Sequence, residues 1–315
     1  MDSVKVIADK IAKNIGAVIK GKDDVVRKTV IALLTGGHIL LEDVPGSGKT
    51  MLAKTLAASV DGTFKRIQMT PDMLPADITG VNIFDLKTSQ FRFVKGPVFT
   101  NILIADEINR ATPKTQAGLL ECMEEEQVTV DGNTWPMEDV FMVIATQNPV
   151  DTQGVFPLPE AQLDRFIMQI PMGYPNREGE REILHRFAAD NPLLTLESVC
   201  TKEELAAMQK QCEEVYAAPV IEDYILDLVE ATRKHNNIAL GVSPRGALVF
   251  LRAAKCYSAL KGEHFVTPET VKYLAPFVLS HRLILEDVYS TNKKASDYIE
   301  EITHFVTAPT EDFAK

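Results

Sequence analysis

The stretch HILLEDVPGSGKTMLAKTL, residues 38 to 56, joins a short apolar run, a glycine-rich turn and a helical pattern without interruption. Residues 39–41 are apolar throughout, which is typical of a buried strand in a parallel sheet. A proline and two glycines then close the strand before the helical pattern begins. The order of strand, glycine loop and helix predicts an α/β fold with a phosphate-binding loop.

The residues of this loop each suit a separate task in binding a nucleoside triphosphate. Backbone N–H groups of the loop and the positive end of the following helix can surround phosphate oxygens. Lys49 can reach the β- and γ-phosphates, and the Thr50 hydroxyl can hold Mg²⁺. We therefore predict that ATP and Mg²⁺ bind to the segment formed by Pro45, Gly46, Ser47, Gly48, Lys49, Thr50 and Met51.

One position departs from the general pattern G-x-x-x-x-G-K-[ST], because Asp43 stands where the pattern has glycine. Because of this departure, the sequence does not establish the backbone geometry at the start of the loop. The residues that contact the phosphates are nevertheless all present. The alternative is an ordinary glycine-rich turn with an incidental lysine. The flanking strand and helix favour nucleotide binding.

Two further apolar runs end in polar residues. Asp106 and Glu107 follow residues 102–105, and a Thr-Gln-Asn run ending at Asn148 follows residues 140–145. Ligands of α/β sheets bind beyond the carboxyl ends of the strands, where Asp106 would hold Mg²⁺ and Glu107 would polarise the attacking water. Asn148 would orient water or the γ-phosphate. Alone, the acids could be a charge pair at a helix N-terminus, and Asn148 could belong to an Asn-Pro turn.

Two arginines are candidates for a catalytic role. Arg165 lies in the sequence LDRF and Arg245 in SPRG, each after a polar or helix-starting residue. Arginine stabilises the charge that develops in phosphoryl transfer. Both could equally be solvated surface charges, as most arginines are. Periodicity does not decide between these two interpretations.

The hydrophobic period changes along the chain. Strand-like runs stop beyond Pro175, and helical patterns follow at residues 177–188, 202–215, 221–234, 244–259 and 268–280. We therefore predict an α/β core over residues 1–175 and an all-helical domain over residues 176–315. Within the first part, residues 80–96 and 127–135 alternate as β-hairpins do, the second around an Asp-Gly turn.

Composition limits the classes of protein that fit. The chain of 315 residues has a net charge of −11, which argues against sequence-independent binding of nucleic acid. No stretch approaches the roughly 20 apolar residues of a membrane span, and the N-terminus lacks the pattern of a signal peptide. Its four cysteines are scattered without a C-x-x-C pair, which indicates reduced thiols in a cytoplasmic protein.

Taken together, the ordered motifs resemble the MoxR family of AAA+ ATPases across nearly the whole chain. The resemblance rests on EDVPGSGKT, TPDMLPADITGV, KGPVFTNILIADEINRATPKTQAGLLECMEE, IATQNPVDTQGVFPLPEAQLDRF and GVSPRGALVFLRAA. ADEINRA and PLPEAQLDRF are far more specific than a generic phosphate-binding loop. An acidic-aliphatic-proline form of the loop is usual in that family, which accounts for Asp43.

The resemblance implies an αβα ATPase core with inserted β-hairpins and a helical lid, assembled as a homo-oligomeric ring that is commonly a hexamer. It assigns Lys49 and Thr50 to Walker A, Asp106 and Glu107 to Walker B, Asn148 to sensor 1, Arg165 to the arginine finger and Arg245 to sensor 2. Lys22 departs from the family's Gly-Gln near the adenine, so the base contact stays unassigned.

The resemblance also implies a class of activity, namely ATP-driven, chaperone-like remodelling, assembly or metal loading of a partner protein. Family members usually act with proteins bearing a von Willebrand factor A domain, so we expect a separate client of that kind. One alternative is a nucleotide-dependent assembly switch with little turnover, against which Glu107 and Arg165 argue. A nucleic-acid motor is a further alternative, which the acidic composition makes less favourable.

Overall fold

The computed structural model describes residues 2–42, 46–148, 154–187, 192–286 and 293–310. Its strands are β1 His38–Glu42, β2 Phe64–Gln68, β3 Gly80–Asp85, β4 Gln90–Lys95, β5 Ile102–Asp106, β6 Gln127–Val130, β7 Asn133–Pro136, β8 Met142–Gln147, β9 Phe166–Pro171, β10 Ile238–Leu240 and β11 Ile284–Leu285. Its helices are α1 Asp2–Val18, α2 Asp23–Leu34, α3 Lys49–Ser59, α4 Pro75–Thr79, α5 Pro113–Glu125, α6 Glu160–Leu163, α7 Arg177–Phe187, α8 Lys202–Glu213, α9 Pro219–Lys234, α10 Pro244–Lys261, α11 Pro268–Leu279 and α12 Ala295–Phe305.

The centre of the molecule is a parallel five-stranded sheet with the order β2-β5-β8-β1-β9. Gln68 pairs in register with Asp106, and Glu42 pairs with Gln147. The carboxyl ends of β1, β2, β5 and β8 therefore lie level along one edge of the sheet. The loops that follow these strands meet at that edge, as the α/β interpretation requires.

Both faces of the sheet are buried, and alternate strand residues point to opposite faces. Ile102, Ile104 and Ile144 belong to one apolar core, whereas Leu103 and Val143 belong to a second core on the other side. Because both faces are covered by other elements, the central strands are continuous apolar runs. The predicted α/β class with an αβα core is confirmed.

The region after β9 is mainly helical, and α8, α10 and α11 begin with a side-chain cap. Ser243 Oγ accepts a hydrogen bond from Gly246 N at 3.0 Å at the start of α10, and Thr201 forms a capping box with Glu204 at the start of α8. One feature differs from the expected all-helical lid, because β10 and β11 pair as a small antiparallel sheet. Strands of three and two residues are too short to show a hydrophobic period.

One apolar core extends across the expected boundary near residue 175. It contains Val4 and Ile31 from the first part of the chain and Phe250 and Leu274 from the second. The helical part therefore packs directly against α1 and α2. We keep the division into residues 1–175 and 176–315 as a proposal that rests on the change from strands to helices.

Both predicted hairpins are present, as β3 with β4 and as β6 with β7. Asp131 and Gly132 have φ of 49° and 80°, the left-handed values that a tight hairpin turn requires. Trp135 stacks on Phe93 with ring centroids 4.8 Å apart, so it joins the second hairpin to the first. This indole is a packing anchor.

Candidate active site

The glycine-rich loop ends at the start of α3 in a conformation that depends on glycine. Gly46 and Gly48 have φ of 85° and 97°, in the left-handed region that side chains with a Cβ rarely adopt. Gly48 is the N-cap of α3, so Lys49 and Thr50 occupy its first turn. The first turn of a helix carries unpaired N–H groups and positive partial charge, which suits an anion. Pro45, also predicted to bind the nucleotide, lies outside the described residues.

A cavity of about 390 Å³ opens at this edge of the sheet and brings together side chains that are far apart in the sequence. Its walls contain Gly46, Ser47, Gly48, Lys49, Thr50, Met51, Asp106, Glu107, Asn148, Arg66 and Gln68. The volume lies in the range of cavities that hold small ligands. All of the predicted nucleotide and metal contacts that lie in the described residues therefore line one cavity.

The donors and acceptors in the cavity fit a metal-bound triphosphate. Ser47 Oγ is buried and has no hydrogen-bond partner among the described residues, so it is available to a ligand oxygen. A Cβ built on Gly46 would meet no heavy atom within 4 Å, which leaves open space beside the loop. The Thr50 hydroxyl and the Asp106 carboxylate supply the oxygen ligands that Mg²⁺ prefers.

Thr146, near the end of β8, connects the two acids at the end of β5. Its Oγ1 donates a hydrogen bond to Asp106 Oδ1 at 3.3 Å and accepts one from the backbone N–H of Glu107 at 2.9 Å. Glu107 has φ of 56°, a left-handed value that is uncommon for a residue with a side chain. The hydroxyl of one buried threonine thus sets the position of both carboxylate-bearing residues.

Two further residues that contact the acids come from β2, and no sequence motif identifies them. Arg66 Nε lies 2.7 Å from Asp106 Oδ2, and Gln68 Nε2 donates to Glu107 Oε2 at 2.8 Å. Arg110 Nε contacts the same Glu107 oxygen at 3.0 Å. The sequence feature that could identify them is their spacing of two residues, which places Arg66 and Gln68 on one face of a strand that ends at the sheet edge.

Lys22 replaces the expected family glutamine and makes two specific contacts. Its buried Nζ donates hydrogen bonds to the carbonyl oxygens of Ser47 and Gly173, both at 2.8 Å. Ser47 belongs to the glycine-rich loop, and Gly173 follows β9. Lys22 therefore joins the loop to the segment that leads from the sheet into the helical region.

The two arginines singled out in the sequence lie together but apart from the cavity. Among the described residues, neither Arg165 nor Arg245 lines its walls. Arg165 Nε lies 2.7 Å from Glu124 Oε2, and Arg245 NH1 lies 2.6 Å from Glu124 Oε1. Both arginines thus share one carboxylate at the end of α5.

Comparison with known proteins matches both parts of the chain to AAA ATPase families. The model of the "ATPase family associated with various cellular activities (AAA)" matches residues 38–168, and that of the "AAA lid domain" matches residues 230–302. The chaperone MoxR1 of Mycobacterium tuberculosis is 42% identical over 277 residues, which cover 85% of this chain and 73% of that protein. The chain belongs to the MoxR family of AAA ATPases.

Two other proteins resemble this MoxR-family chain along nearly its full length. The uncharacterized protein YeaC of Bacillus subtilis is 46% identical over 301 residues, covering 95% of this chain and 94% of that protein. A crystal structure from Cytophaga hutchinsonii, of a protein provisionally named an ATPase, superimposes with a TM-score of 0.90 at 36% identity and covers 98% of both chains. Within the described residues of the MoxR-family chain, no helix has both the length and the apolar character of a membrane span.

We expect the change Thr146→Val to weaken the fold and to slow ATP hydrolysis together. The shape of the side chain is kept, but the partly buried N–H of Glu107 loses its acceptor, which costs about 1–3 kcal/mol of the free energy of unfolding. Displacement of the two acids should also lower kcat about tenfold. Urea unfolding and steady-state hydrolysis measure the two effects.

Thr146→Ser is the matched control for this change because it keeps the hydroxyl. It should retain the stability and most of the turnover of the parent. Parental stability and turnover in Thr146→Val would contradict the positioning role of the hydroxyl.

Proposed function

We propose that the cavity beside the glycine-rich loop binds Mg²⁺-ATP and hydrolyses it. The observation that carries this proposal is the convergence of Lys49, Thr50, Asp106, Glu107 and Asn148 on one cavity from three separate segments of the chain. A phosphate-binding loop, two adjacent carboxylates and a polar amide are the parts that phosphoryl transfer to water needs. MoxR-family membership supports the same chemistry.

In this proposal each side chain has a separate role. The first turn of α3 and Lys49 bind the β- and γ-phosphates, while Thr50 and Asp106 hold Mg²⁺, directly or through its water shell. Bound Mg²⁺ neutralises phosphate charge. Glu107 accepts a proton from the attacking water, and Asn148 orients that water or the γ-phosphate. Gln68 and Arg110 fix the Glu107 carboxylate through their contacts with Oε2.

We further propose that a neighbouring copy of the chain completes the site. Arg165 is the arginine finger and Arg245 the sensor 2 arginine of this proposal, yet both side chains pair with Glu124 rather than line their own cavity. A second copy can bring them to the phosphates. Such head-to-tail contacts close into a ring, and we propose a hexamer because that assembly is common in the family.

The work done by this ATPase is, in our proposal, chaperone-like. We infer that the ring remodels, assembles or loads metal into a separate protein, with a von Willebrand factor A domain as the expected client feature. The name of the relative MoxR1 supports the chaperone assignment. We also propose a cytoplasmic location, since all four cysteines are buried free thiols.

Replacement of the loop lysine tests whether the cavity binds ATP. Lys49→Ala should weaken ATP affinity at least about 100-fold, because a charge-assisted contact with the phosphates is lost. The matched control is Lys54→Ala, which removes an exposed lysine from the same helix. Titration with a fluorescent ATP analogue measures both. If Lys49→Ala binds as tightly as Lys54→Ala, the cavity is not the nucleotide site.

A further inference from the structure

Glu124 lies at the end of α5 and contacts both candidate trans-acting arginines with a single carboxylate. Arg165 Nε lies 2.7 Å from Glu124 Oε2, and Arg245 NH1 lies 2.6 Å from Glu124 Oε1. Each contact uses one nitrogen of a guanidinium that has five N–H donors, so each arginine keeps donors for another anion. The side chains of Glu124, Arg165 and Arg245 are 32%, 25% and 45% exposed, which makes the cluster accessible from the surface.

A partly buried network behind the cluster fixes the backbone positions of the two arginines. Asp164 Oδ1 lies 2.6 Å from Nε of the buried Arg282, and Asp164 Oδ2 accepts a hydrogen bond from Ser243 Oγ at 3.0 Å. Asp164 immediately precedes Arg165, and Ser243 is the N-cap of the helix that carries Arg245. The segments of Arg165 and Arg245 are therefore tied to each other by Asp164.

Electrostatics explain why a carboxylate is needed between the side chains. Two guanidinium groups held close together repel each other, and an anion between them offsets that repulsion. Partial burial opposes ionisation of Glu124, but the hydrogen bond and charge of Arg245, followed by those of Arg165, bring its pKa below the ordinary glutamate value. Glu124 is therefore ionised at neutral pH, and the three side chains together carry one net positive charge.

We propose that Glu124 is a positioning residue that presents Arg165 and Arg245 as one anion-binding pair to the nucleotide of a neighbouring subunit. This inference rests on the proposed function, in which both arginines act across a subunit interface. It adds that the two arginines act on the same phosphate group, because one carboxylate holds their side chains together. Glu124 acts through the arginines and does not itself touch the nucleotide.

The first test removes the carboxylate. Glu124→Ala should lower kcat about tenfold to a hundredfold, as small misplacements of catalytic groups do. The affinity of the subunit's own cavity for a fluorescent ATP analogue should stay at the parental value. Glu124→Gln, which keeps an acceptor oxygen without the charge, should retain more activity than Glu124→Ala. Glu125→Ala removes an exposed neighbouring acid of the same helix and is the matched control, with parental activity.

The second test distinguishes positioning from a general structural role. In an Arg165→Ala/Arg245→Ala background, Glu124→Ala should cause less than about a twofold further loss, since the groups that it positions are gone. A radiometric assay of phosphate release has the sensitivity for this weak activity. A further tenfold loss in that background would overturn the inference, because Glu124 would then act through other residues.

The remaining outcomes separate this inference from the proposed function. If Glu124→Ala is as active as Glu125→Ala while the single arginine variants are impaired, the positioning role fails and the trans-acting arginines stand. A gain of activity in Glu124→Ala would also overturn the inference, because the carboxylate would then compete with the phosphate. If Arg165→Ala and Arg245→Ala themselves keep parental activity, the proposed function of the arginines fails.

Discussion

Glu107→Gln is expected to bind ATP with parental affinity and to hydrolyse it about 10²–10⁴ times more slowly, the range of a lost general base. The amide has the size of the carboxylate but accepts a proton far less readily. Gln68 and Arg110 lie close enough to hold the new side chain in place. A fluorescent nucleotide titration measures binding, and single-turnover hydrolysis measures the chemical step.

The control for this prediction is Glu121→Gln, which makes the same chemical change at an exposed position of α5. It should hydrolyse ATP at the parental rate. Unchanged turnover in Glu107→Gln would mean that another group activates water, or that the activity belongs to a contaminant. Either result would remove Glu107 from the catalytic site.

Arg165→Ala is expected to lower kcat about 10³-fold or more, as the loss of an arginine finger does. The substitution also removes the ion pair with Glu124, but a partly exposed pair contributes only about 0–1 kcal/mol to the free energy of unfolding. Thermal unfolding should therefore change little, and the isolated subunit should bind ATP as before. Hydrolysis is measured at a protein concentration that saturates assembly.

Arg181→Ala is the control for the loss of an arginine, since Arg181 is an exposed residue of α7. It should retain parental turnover. An Arg165→Ala protein with parental turnover in the assembled state would show that this side chain is a surface charge. The alternative interpretation of the sequence, in which Arg165 is a solvated surface charge, would then be correct.

The elements that sequence patterns predict well are those buried on both sides. The strands β1, β5 and β8 lie in the middle of the sheet, so each contains a continuous apolar run of at least three residues, which is distinct in the sequence. Their ends then predict which polar side chains converge, because parallel strands finish at one edge. For that reason Asp106, Glu107 and Asn148 could be named before the fold was known.

The edge strands and the last helix give a weaker signal. Strand β2 has the sequence FKRIQ and is only partly buried, so its pattern does not differ from that of a polar loop. For this reason the sequence does not identify Arg66 and Gln68 as site residues, although both line the cavity. The other edge strand, β9, begins within the LDRF motif, and α12 starts without a preferred capping side chain, so the start of neither element is marked in the sequence.

The partners of the two arginines depend on contacts that no local pattern contains. Glu124 lies 121 residues from Arg245 along the chain, and the two meet only because the fold brings the start of α10 to the end of α5. Lys22 is a similar case, since its contacts reach the glycine-rich loop and Gly173, which is 151 residues away. Sequence could identify these side chains as unusual but could not identify their partners.

The central claim is that a neighbouring subunit completes the active site. Mixing two inactive variants tests this claim most directly. Glu107→Gln retains Arg165, and Arg165→Ala retains an intact Glu107, so mixed assemblies contain some interfaces with both groups. Labelled protein first confirms that subunits exchange. We predict hydrolysis clearly above the sum of the separate variants, and parental activity per subunit that rises with protein concentration until assembly saturates. Exchange without recovery, together with activity independent of concentration, would contradict the claim.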